Sequence, residues 1–381
     1  MAALAASSTI DDRGPAKYFH GRKEVLSSFA ARRAKASAGG LGMQGTTFLI
    51  QGAPGAGKTA LLYRCAEEAV RNGWTVARIE GDALYDPASM AYWLDQSYLA
   101  RASRQIEIDL KIVRGTRSKE TGGVANVSQL LREAAASTAR GLLLVLDEVQ
   151  DIRDYADHPH KPGVKNTLKL IHNGEVGCPV ILLAGGLGTS EAAFNSLGVS
   201  RFYGGCVVNL GRLAPEPERI IIRDWLVRDG GAEGDTGLWI DAITRETHGW
   251  PQHIIAFAEP AAGVVRACHG QMTSDGLEAV LQQGQQRKEK YYFARVQELL
   301  EQDRMVLGRA LSTMPADSSF RDSEVLDIFS VEHSRAEARR IFELILHKGI
   351  LAKTLRGRFA VPIPSMYHWL VEQYHSGEHS L

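Results

Sequence analysis

The sequence predicts an α/β fold built around a parallel β-sheet, followed by a helical region and a mixed C-terminal region. Two continuous apolar runs, residues 141–146 and 179–184, are typical of strands covered on both faces. Such runs alternate with helical patterns over roughly the first 200 residues, as expected for parallel strands joined by helices. After Pro215 the pattern becomes helical and no strand interrupts it until residue 351.

Composition limits the classes of protein that the chain can represent. Its 381 residues suggest two or three domains. A hydrophobic fraction of 44% and a charged fraction of 23% are globular values and exclude wholesale disorder. The 44 Lys and Arg residues equal the 44 Asp and Glu residues in number, so any contact with nucleic acid has to come from a local basic patch.

Cysteine usage and hydropathy indicate a cytoplasmic protein without membrane contact. The four cysteines form no C-x-x-C pair, which excludes the usual zinc-knuckle and dithiol motifs and favours reduced structural thiols. No apolar run approaches the roughly 18 residues that a membrane span requires. Residues 1–17 are expected to be a flexible N-terminus, because the first ten lack the basic and apolar regions of a signal peptide.

The first part of the chain is predicted to alternate strands with helices. Asn72-Gly73 is a helix C-cap signal, and Asp86 followed by Pro87 is a helix start signal. Apolar and β-branched runs predict strands at 46–51, 75–80, 141–146, 179–184 and 207–210. Helical periodicity predicts helices at 60–71, 86–99 and 127–138.

The rest of the chain is predicted to contain two further regions. Periodicity predicts helices at 216–228, 238–247 and 251–268, then one long helix at 277–311. A helix at 323–329, a helix at 334–348 with a capping box, strands at 351–355 and 358–361 and a helix at 365–373 follow the order of a winged helix-turn-helix. The predicted boundaries are a flexible N-terminus (1–17), a core (18–213), a helical lid (214–275), and a linker helix with a winged-helix domain (276–381).

The sequence predicts a phosphate-binding loop between the first predicted strand and the helix that follows it. Residues 52–59 match G-x-x-x-x-G-K-[ST] at every fixed position. Glycines let backbone N–H groups turn around a phosphate, and the helix N-terminus adds a partial positive charge. Lys58 is expected to reach the β- and γ-phosphates of ATP. The residues expected to bind nucleotide here are Gly52, Pro54, Gly55, Ala56, Gly57, Lys58, Thr59 and Ala60.

A second half of the same site follows the apolar run at 141–146. An acidic residue at the tip of a buried strand can hold Mg²⁺, so Asp147 and the Thr59 hydroxyl are the predicted metal ligands. Glu148 can polarise a water for attack on the γ-phosphate. Together these residues predict a Mg²⁺-dependent P-loop ATPase, and a nucleotide-binding module without hydrolysis is the weaker alternative.

With these motifs the chain resembles the AAA+/STAND group of P-loop ATPases over about residues 18–375. It is most similar to the branch that contains origin-recognition initiators and transposition regulators. Residues 19–24 are similar to the F-x-G-R-x-E segment that lies over adenine in that group, which implies nucleotide contacts for Gly21 and Arg22. Residues 147–150 are similar to the D-E-x-Q form of transposition ATPases. The resemblance implies an AAA+-like core, a helical lid and a C-terminal winged helix.

The resemblance also carries implications for assembly and rate. Arg201 precedes the last strand, where an arginine in AAA+ proteins often reaches the γ-phosphate of a neighbouring subunit; a surface salt bridge is an equally weighted alternative. The finger role would require a homo-oligomer. Pro251 resembles the proline of the lid's G-x-P segment, but Gln252 stands where relatives often have a sensing arginine. Residues 185–189, expected to follow the strand as the sensor position, are also atypical, and both departures favour a slow switch.

Duplex DNA is one expected partner. In the predicted helix 334–348, Ala338, Ile341 and Ile345 would pack inward, while basic side chains would face out. Such groups could hold phosphates on either side of a groove. Winged helices also serve as packing or autoinhibitory modules, and acidic residues lie nearby, so both interpretations stay open. The candidate DNA-contacting residues are Arg335, Arg339, Arg340, Lys353, Arg356 and Arg358.

A second basic segment, residues 101–119, alternates apolar and polar residues like a half-buried hairpin ending in a basic turn. It is a further candidate for duplex contact, and a solvated hairpin tip is the slightly favoured alternative.

A rival hypothesis from another class is a STAND-type signalling or defence ATPase whose C-terminal domain contacts a protein effector. Metabolite kinase activity is a distant third.

Overall fold

The computed structural model describes most of the chain in separate segments. These are residues 16–39, 47–95, 126–138, 140–149, 161–177, 179–199, 205–316, 318–354 and 358–374, with the single residues 152 and 202.

A five-stranded parallel sheet organises the first half of the chain, with the strand order β2-β3-β4-β1-β5. Strand β1 therefore lies between β4 and β5, and the carboxyl ends of the strands meet at one edge of the sheet. The prediction of an α/β fold with a parallel sheet is confirmed. The strands are β1 (Thr47–Gly52), β2 (Thr75–Ile79), β3 (Leu142–Leu146), β4 (Val180–Gly186) and β5 (Val207–Leu210).

Helices pack against this sheet. The structure confirms the predicted helix start at Asp86 and the predicted helix end at Asn72-Gly73. The Asp86 carboxylate accepts a 3.0 Å bond from Ser89 N, as an N-cap does, and Gly73 turns the chain with a positive φ of 76° after the preceding helix. Three of the helices were not predicted from the sequence: α1, α5 and α6. The helices are α1 (Lys23–Ser37), α2 (Lys58–Arg71), α3 (Pro87–Asp95), α4 (Val127–Ala136), α5 (Lys161–His172) and α6 (Ser190–Ser196).

The expectation that residues 185 and 186 follow strand β4 is wrong. The strand continues through Gly186, because Gly185 and Gly186 stay in register with Ile50 and Gln51 of β1. A Cβ atom at Gly185 would lie 2.8 Å from Asp147 Oδ1 and 2.6 Å from a methyl of Leu62. The glycine thus lets β4 run close beside the acidic strand tip.

A helical layer with its own core follows the sheet. It comprises α7 (Pro215–Asp224), a π-helical turn (Trp225–Asp229), α8 (Gly237–Thr247) and α9 (Pro251–Ala267). The prediction of one continuous α-helix over 216–228 is wrong at its end, where the turn widens at Trp225. π-Helical turns are rare and are often found at functional sites.

The predicted single helix over 277–311 is also wrong. It is two helices, α10 (Ser274–Val296) and α11 (Glu301–Ser312), separated by a turn in which Leu299 N donates to Val296 O. The Arg304 guanidinium donates to Leu299 O at 3.0 Å and stabilises this turn. Helical periodicity does not reveal such a break, because apolar residues continue on both sides of it.

Residues 301–374 form what we call the C-terminal unit. After α11 it contains α12 (Asp322–Phe329), α13 (Arg335–His347), the antiparallel pair β6 (Ala352–Lys353) and β7 (Phe359–Ala360), and α14 (Pro364–Tyr374). The helix, helix, hairpin order is the predicted one, although both strands are shorter than expected; the winged-helix assignment stays a prediction. One buried cluster contains side chains of this unit, of α2 and of β1, so the unit packs on the core. Among the described residues, no helix combines the length and apolarity needed to cross a bilayer.

Candidate functional site

The loop between β1 and α2 carries the glycine-rich motif. Gly55 and Gly57 have positive φ angles of 77° and 86°, which glycine adopts without the steric penalty of a side chain. Gly57 precedes α2, which begins at Lys58. The loop therefore joins a buried strand to a helix N-terminus, the arrangement in which backbone N–H groups bind phosphate.

Lys58 is buried at the base of this loop. Its Nζ donates to the carbonyl oxygens of Gly52 at 3.2 Å and Ala53 at 3.3 Å. Burial lowers the pKa of Lys58, whereas the negative charges of Glu148 and Asp147 raise it. The ammonium group is thus held beside the loop by carbonyl groups and nearby carboxylates.

Thr59, Asp147 and Glu148 meet at the carboxyl ends of the strands. Thr59 Oγ1 donates a 2.7 Å hydrogen bond to Asp147 Oδ2, and the backbone N–H of Glu148 donates to Asp147 Oδ1 at 3.0 Å. Glu148 has a positive φ of 51°, an unusual conformation for a residue with a side chain and one associated with functional sites. The structure brings the two predicted metal ligands into contact, with the predicted base next to them.

Thr59 and Asp147 have the donor chemistry that Mg²⁺ prefers, because both present oxygen atoms. Among the described residues, no group of three or more His, Cys, Asp or Glu side chains could hold a metal alone. Mg²⁺ commonly takes only one or two protein ligands and completes its shell with waters and nucleotide phosphates. The pair therefore fits a metal shared with bound nucleotide.

A cavity of about 540 Å³ opens next to the loop, within the size range of small-molecule sites. The loop residues 54–60 and Glu148 line its phosphate end. Tyr18 and Trp225 line it as well, with ring centroids 5.4 Å apart in an edge-on contact. Lys17 lies 5.1 Å from the Trp225 ring and forms an ion pair with Asp229. The π-helical turn thus places an aromatic ring on the cavity wall.

The residues predicted to contact nucleotide outside the loop, Gly21, Arg22 and Pro251, occupy different positions relative to this cavity. Arg22 lines it and donates to the carbonyl oxygens of Ala56, at 3.3 Å, and Gly211. Gly21 instead packs against Pro217, where an added Cβ would come within 3.0 Å of a ring carbon. Pro251 lines the cavity at the start of α9.

Helix α10 supplies cavity residues that the sequence analysis missed. Tyr291 and Arg295 line the cavity together with His347 and Lys348 from the end of α13. The Tyr291 hydroxyl donates to Pro54 O at 2.6 Å. No spacing rule connects these positions to the phosphate loop, because more than two hundred residues separate them. Only the fold brings them together.

Three of the candidate DNA-contacting side chains, the exposed Arg335 and Arg339 and the half-buried Arg358, contact acidic neighbours. Arg339 pairs with Asp322 at 3.1 Å, Arg335 with Asp327 at 3.9 Å, and Arg358 donates to Glu324 at 3.2 Å. As predicted, Ala338, Ile341 and Ile345 are buried. Arg201, Arg356 and the basic segment 101–119 lie outside the described residues.

The comparisons with known proteins agree with this geometry. Residues 18–159 match the family described as the AAA ATPase domain. The resemblance to AAA+ P-loop ATPases is confirmed. A search of curated proteins gave no match.

Two solved structures have a similar fold over nearly the whole chain. One is the Walker-type ATPase paby2304 of Pyrococcus abyssi, at 11% identity and a TM-score of 0.58, covering 92% of this chain and 96% of that one. The other is the ORC2 protein of Aeropyrum pernix in its ADP form, at 14% identity and a TM-score of 0.54, covering 95% of this chain and 97% of that one. The ORC2 protein was also solved in ADPNP–ADP complexes, with a TM-score of 0.53.

Proposed function

We propose that this chain binds ATP in the cavity at the phosphate loop and hydrolyses it slowly with Mg²⁺. The observation that carries the proposal is the 2.7 Å bond between Asp147 and Thr59, because Thr59 lines the cavity together with Lys58 and Glu148. A phosphate loop alone would support binding. The loop joined to an acidic strand tip and a neighbouring carboxylate supports hydrolysis.

Each residue has a distinct role in the proposed reaction. The Lys58 ammonium and the N-terminus of α2 hold the β- and γ-phosphates. Thr59 and Asp147 would hold Mg²⁺, which neutralises charge on the transferred phosphoryl group when bound. Glu148 accepts a proton from the attacking water, which it orients towards the γ-phosphate. Arg22 and Pro251 belong to the proposed nucleotide contacts around the rest of the cavity, whereas Gly21 packs against Pro217 and does not line it.

Hydrolysis is tested by phosphate release from ATP with Mg²⁺ and with EDTA. We expect slow, Mg²⁺-dependent release by the wild-type chain, none by Lys58→Ala, which should not bind nucleotide, and unimpaired binding without turnover by Glu148→Gln. Glu278→Gln removes an exposed carboxylate on α10 and serves as the matched control. Full turnover by Glu148→Gln would remove the assignment of the base.

The second part of the proposal is that ATP binding promotes a homo-oligomer that acts on duplex DNA. Its support is the row of exposed arginines on α13, namely Arg335, Arg339 and Arg340. Exposed ion pairs such as Arg339–Asp322 contribute little stability, so DNA phosphates can replace the carboxylates. The finger role of Arg201, a contact with a neighbouring subunit, belongs to this part of the proposal.

Mass photometry of Glu148→Gln with ATP, with and without a random-sequence duplex, tests this second part. A larger species that needs both ATP and duplex, weakens as salt rises and is lost in Arg335→Gln/Arg339→Gln/Arg340→Gln would support DNA as the partner. Assembly with ATP alone, indifferent to duplex, would instead favour a STAND-type switch that contacts a protein effector.

A further inference from the structure

Arg295 lines the cavity that contains the phosphate loop, although it lies on α10, outside every motif of the sequence. Its guanidinium lies 4.4 Å from the centroid of the Tyr291 ring, and the Tyr291 hydroxyl in turn holds Pro54 of the loop. This cation–π contact places the guanidinium beside the ring whose hydroxyl holds the loop. Arg295 is therefore held in place before any ligand arrives.

The hydrogen-bonding capacity of Arg295 is only partly used. One guanidinium N–H donates to Lys348 O at 2.8 Å, at the end of α13. The Nε atom is buried and has no hydrogen-bond partner among the described residues. A buried donor without a partner costs free energy, and a ligand oxygen would satisfy it. An arginine presents its donors as a fork that matches two oxygens of one phosphate.

Arg295 and Lys58 line the same cavity, Arg295 from α10 and Lys58 from the start of α2. Both side chains carry a positive charge, and like charges that share a cavity repel each other. An anion bound between them would relieve this repulsion.

Gln252, near the start of α9, lines the cavity but brings no charge to it. Gln252 is neutral, and its backbone N–H donates to Gly55 O at 3.2 Å. The neighbouring helix α10 carries an arginine at the cavity instead.

We propose that Arg295 binds the γ-phosphate of ATP, exchanging its bond to Lys348 O for bonds to the phosphate, and so loosens the C-terminal unit from the phosphate loop. The inference rests on the proposed function, since it needs ATP in the cavity. The link to the C-terminal unit is short: Gly349 follows Lys348 and packs on Pro54, where an added Cβ would lie 2.3 Å from Pro54 Cδ. Release of the Lys348 carbonyl therefore acts at the contact between the unit and the loop.

Nucleotide titrations of Arg295→Gln test the phosphate contact. We expect ATP affinity to fall about tenfold, the effect of losing a charged phosphate contact, while ADP affinity falls less than about threefold. Arg295→Lys should recover part of the loss. Arg304→Gln is the matched control, because Arg304 also lies over an aromatic ring, that of Phe293, and donates to backbone carbonyls, yet does not line the cavity. Equal losses for ATP and ADP, or no loss, would overturn the inference.

Hydrogen exchange of residues 335–354 tests the coupling. We expect ATP to increase exchange in this segment of the wild-type chain, and exchange in Arg295→Gln to be raised already without nucleotide and unchanged by ATP. An ATP response that survives in Arg295→Gln would overturn the coupling. Failure of the wild-type chain to bind ATP would refute the proposed function itself, whereas normal ATP binding by Arg295→Gln would refute only this inference.

Discussion

The Tyr291 hydroxyl donates a 2.6 Å hydrogen bond to the carbonyl oxygen of Pro54, so helix α10 holds the glycine-rich loop directly. The same hydroxyl would lie 2.6 Å from a Cβ at Gly55, which shows how closely α10 approaches the loop. The phosphate site is therefore shaped by both halves of the chain.

Tyr291→Phe should loosen this contact while keeping the ring. Loss of one hydrogen bond of this kind costs about 1 kcal/mol, so we expect ATP affinity to fall by up to about fivefold and thermal stability to fall slightly. Isothermal titration and a melting curve measure both. Tyr92→Phe is the control, because Tyr92 is exposed on α3 and does not line the cavity. Unchanged affinity in Tyr291→Phe would mean that the loop keeps its shape without α10.

Thr59→Val should separate nucleotide binding from Mg²⁺ dependence. The substitution keeps the volume but removes the hydroxyl that donates to Asp147 Oδ2. We expect turnover to need much higher Mg²⁺ concentrations and to fall at least about tenfold, as for loss of a metal ligand. Phosphate release across a Mg²⁺ titration checks this. An unaltered Mg²⁺ dependence would contradict the assignment of Thr59 as a ligand.

Because His253 is buried, we expect the free energy of unfolding to decrease in acid. Burial, followed by the charge of Lys288, lowers its pKa from 6.5 to about 3, and its ring packs edge-on against Tyr291 and Tyr292. The unfolded chain binds a proton between these pH values and the folded chain does not, so stability from this group is complete above pH 6.5 and is lost as the pH falls towards 3.

Urea midpoints between pH 4 and pH 7 measure this loss. We expect His253→Gln to flatten the pH dependence of the free energy of unfolding by up to about 1.4 kcal/mol per pH unit. His368→Gln replaces an exposed histidine and should show the same pH dependence of the free energy of unfolding as the wild-type chain. An equal pH dependence of the free energy of unfolding in all three proteins would show that His253 does not cause the loss of stability in acid.

Gly349→Ala should weaken the contact between the C-terminal unit and the phosphate loop. Its φ of 65° is left-handed, and its added Cβ would meet Pro54. Gly234→Ala is a matched control, because Gly234 has a φ of 86° and open space around its missing side chain. Both variants should lose about 1–2 kcal/mol from the backbone conformation, and Gly349→Ala should lose more. Melting curves that shift equally would exclude a significant clash with Pro54.

The parts of the site that lie close together in sequence could be predicted from it. Residues 52–59 and the pair Asp147-Glu148 follow apolar strands, and parallel strands bring such ends to one edge. Arg295 could not be predicted, because an arginine on a helix is ordinarily solvent-facing and only packing of α10 against the loop places it in the cavity. Trp225 was missed as a cavity residue because periodicity does not distinguish a π-helical turn from an α-helical one.

The Tyr291–Pro54 bond joins residues 237 positions apart, which has a consequence for biosynthesis. At about 5–20 residues per second, roughly 10–50 s pass between synthesis of the loop and synthesis of its partner on α10. During that interval a nascent chain exposes an incomplete nucleotide pocket, so full enclosure of a ligand becomes a late step of maturation.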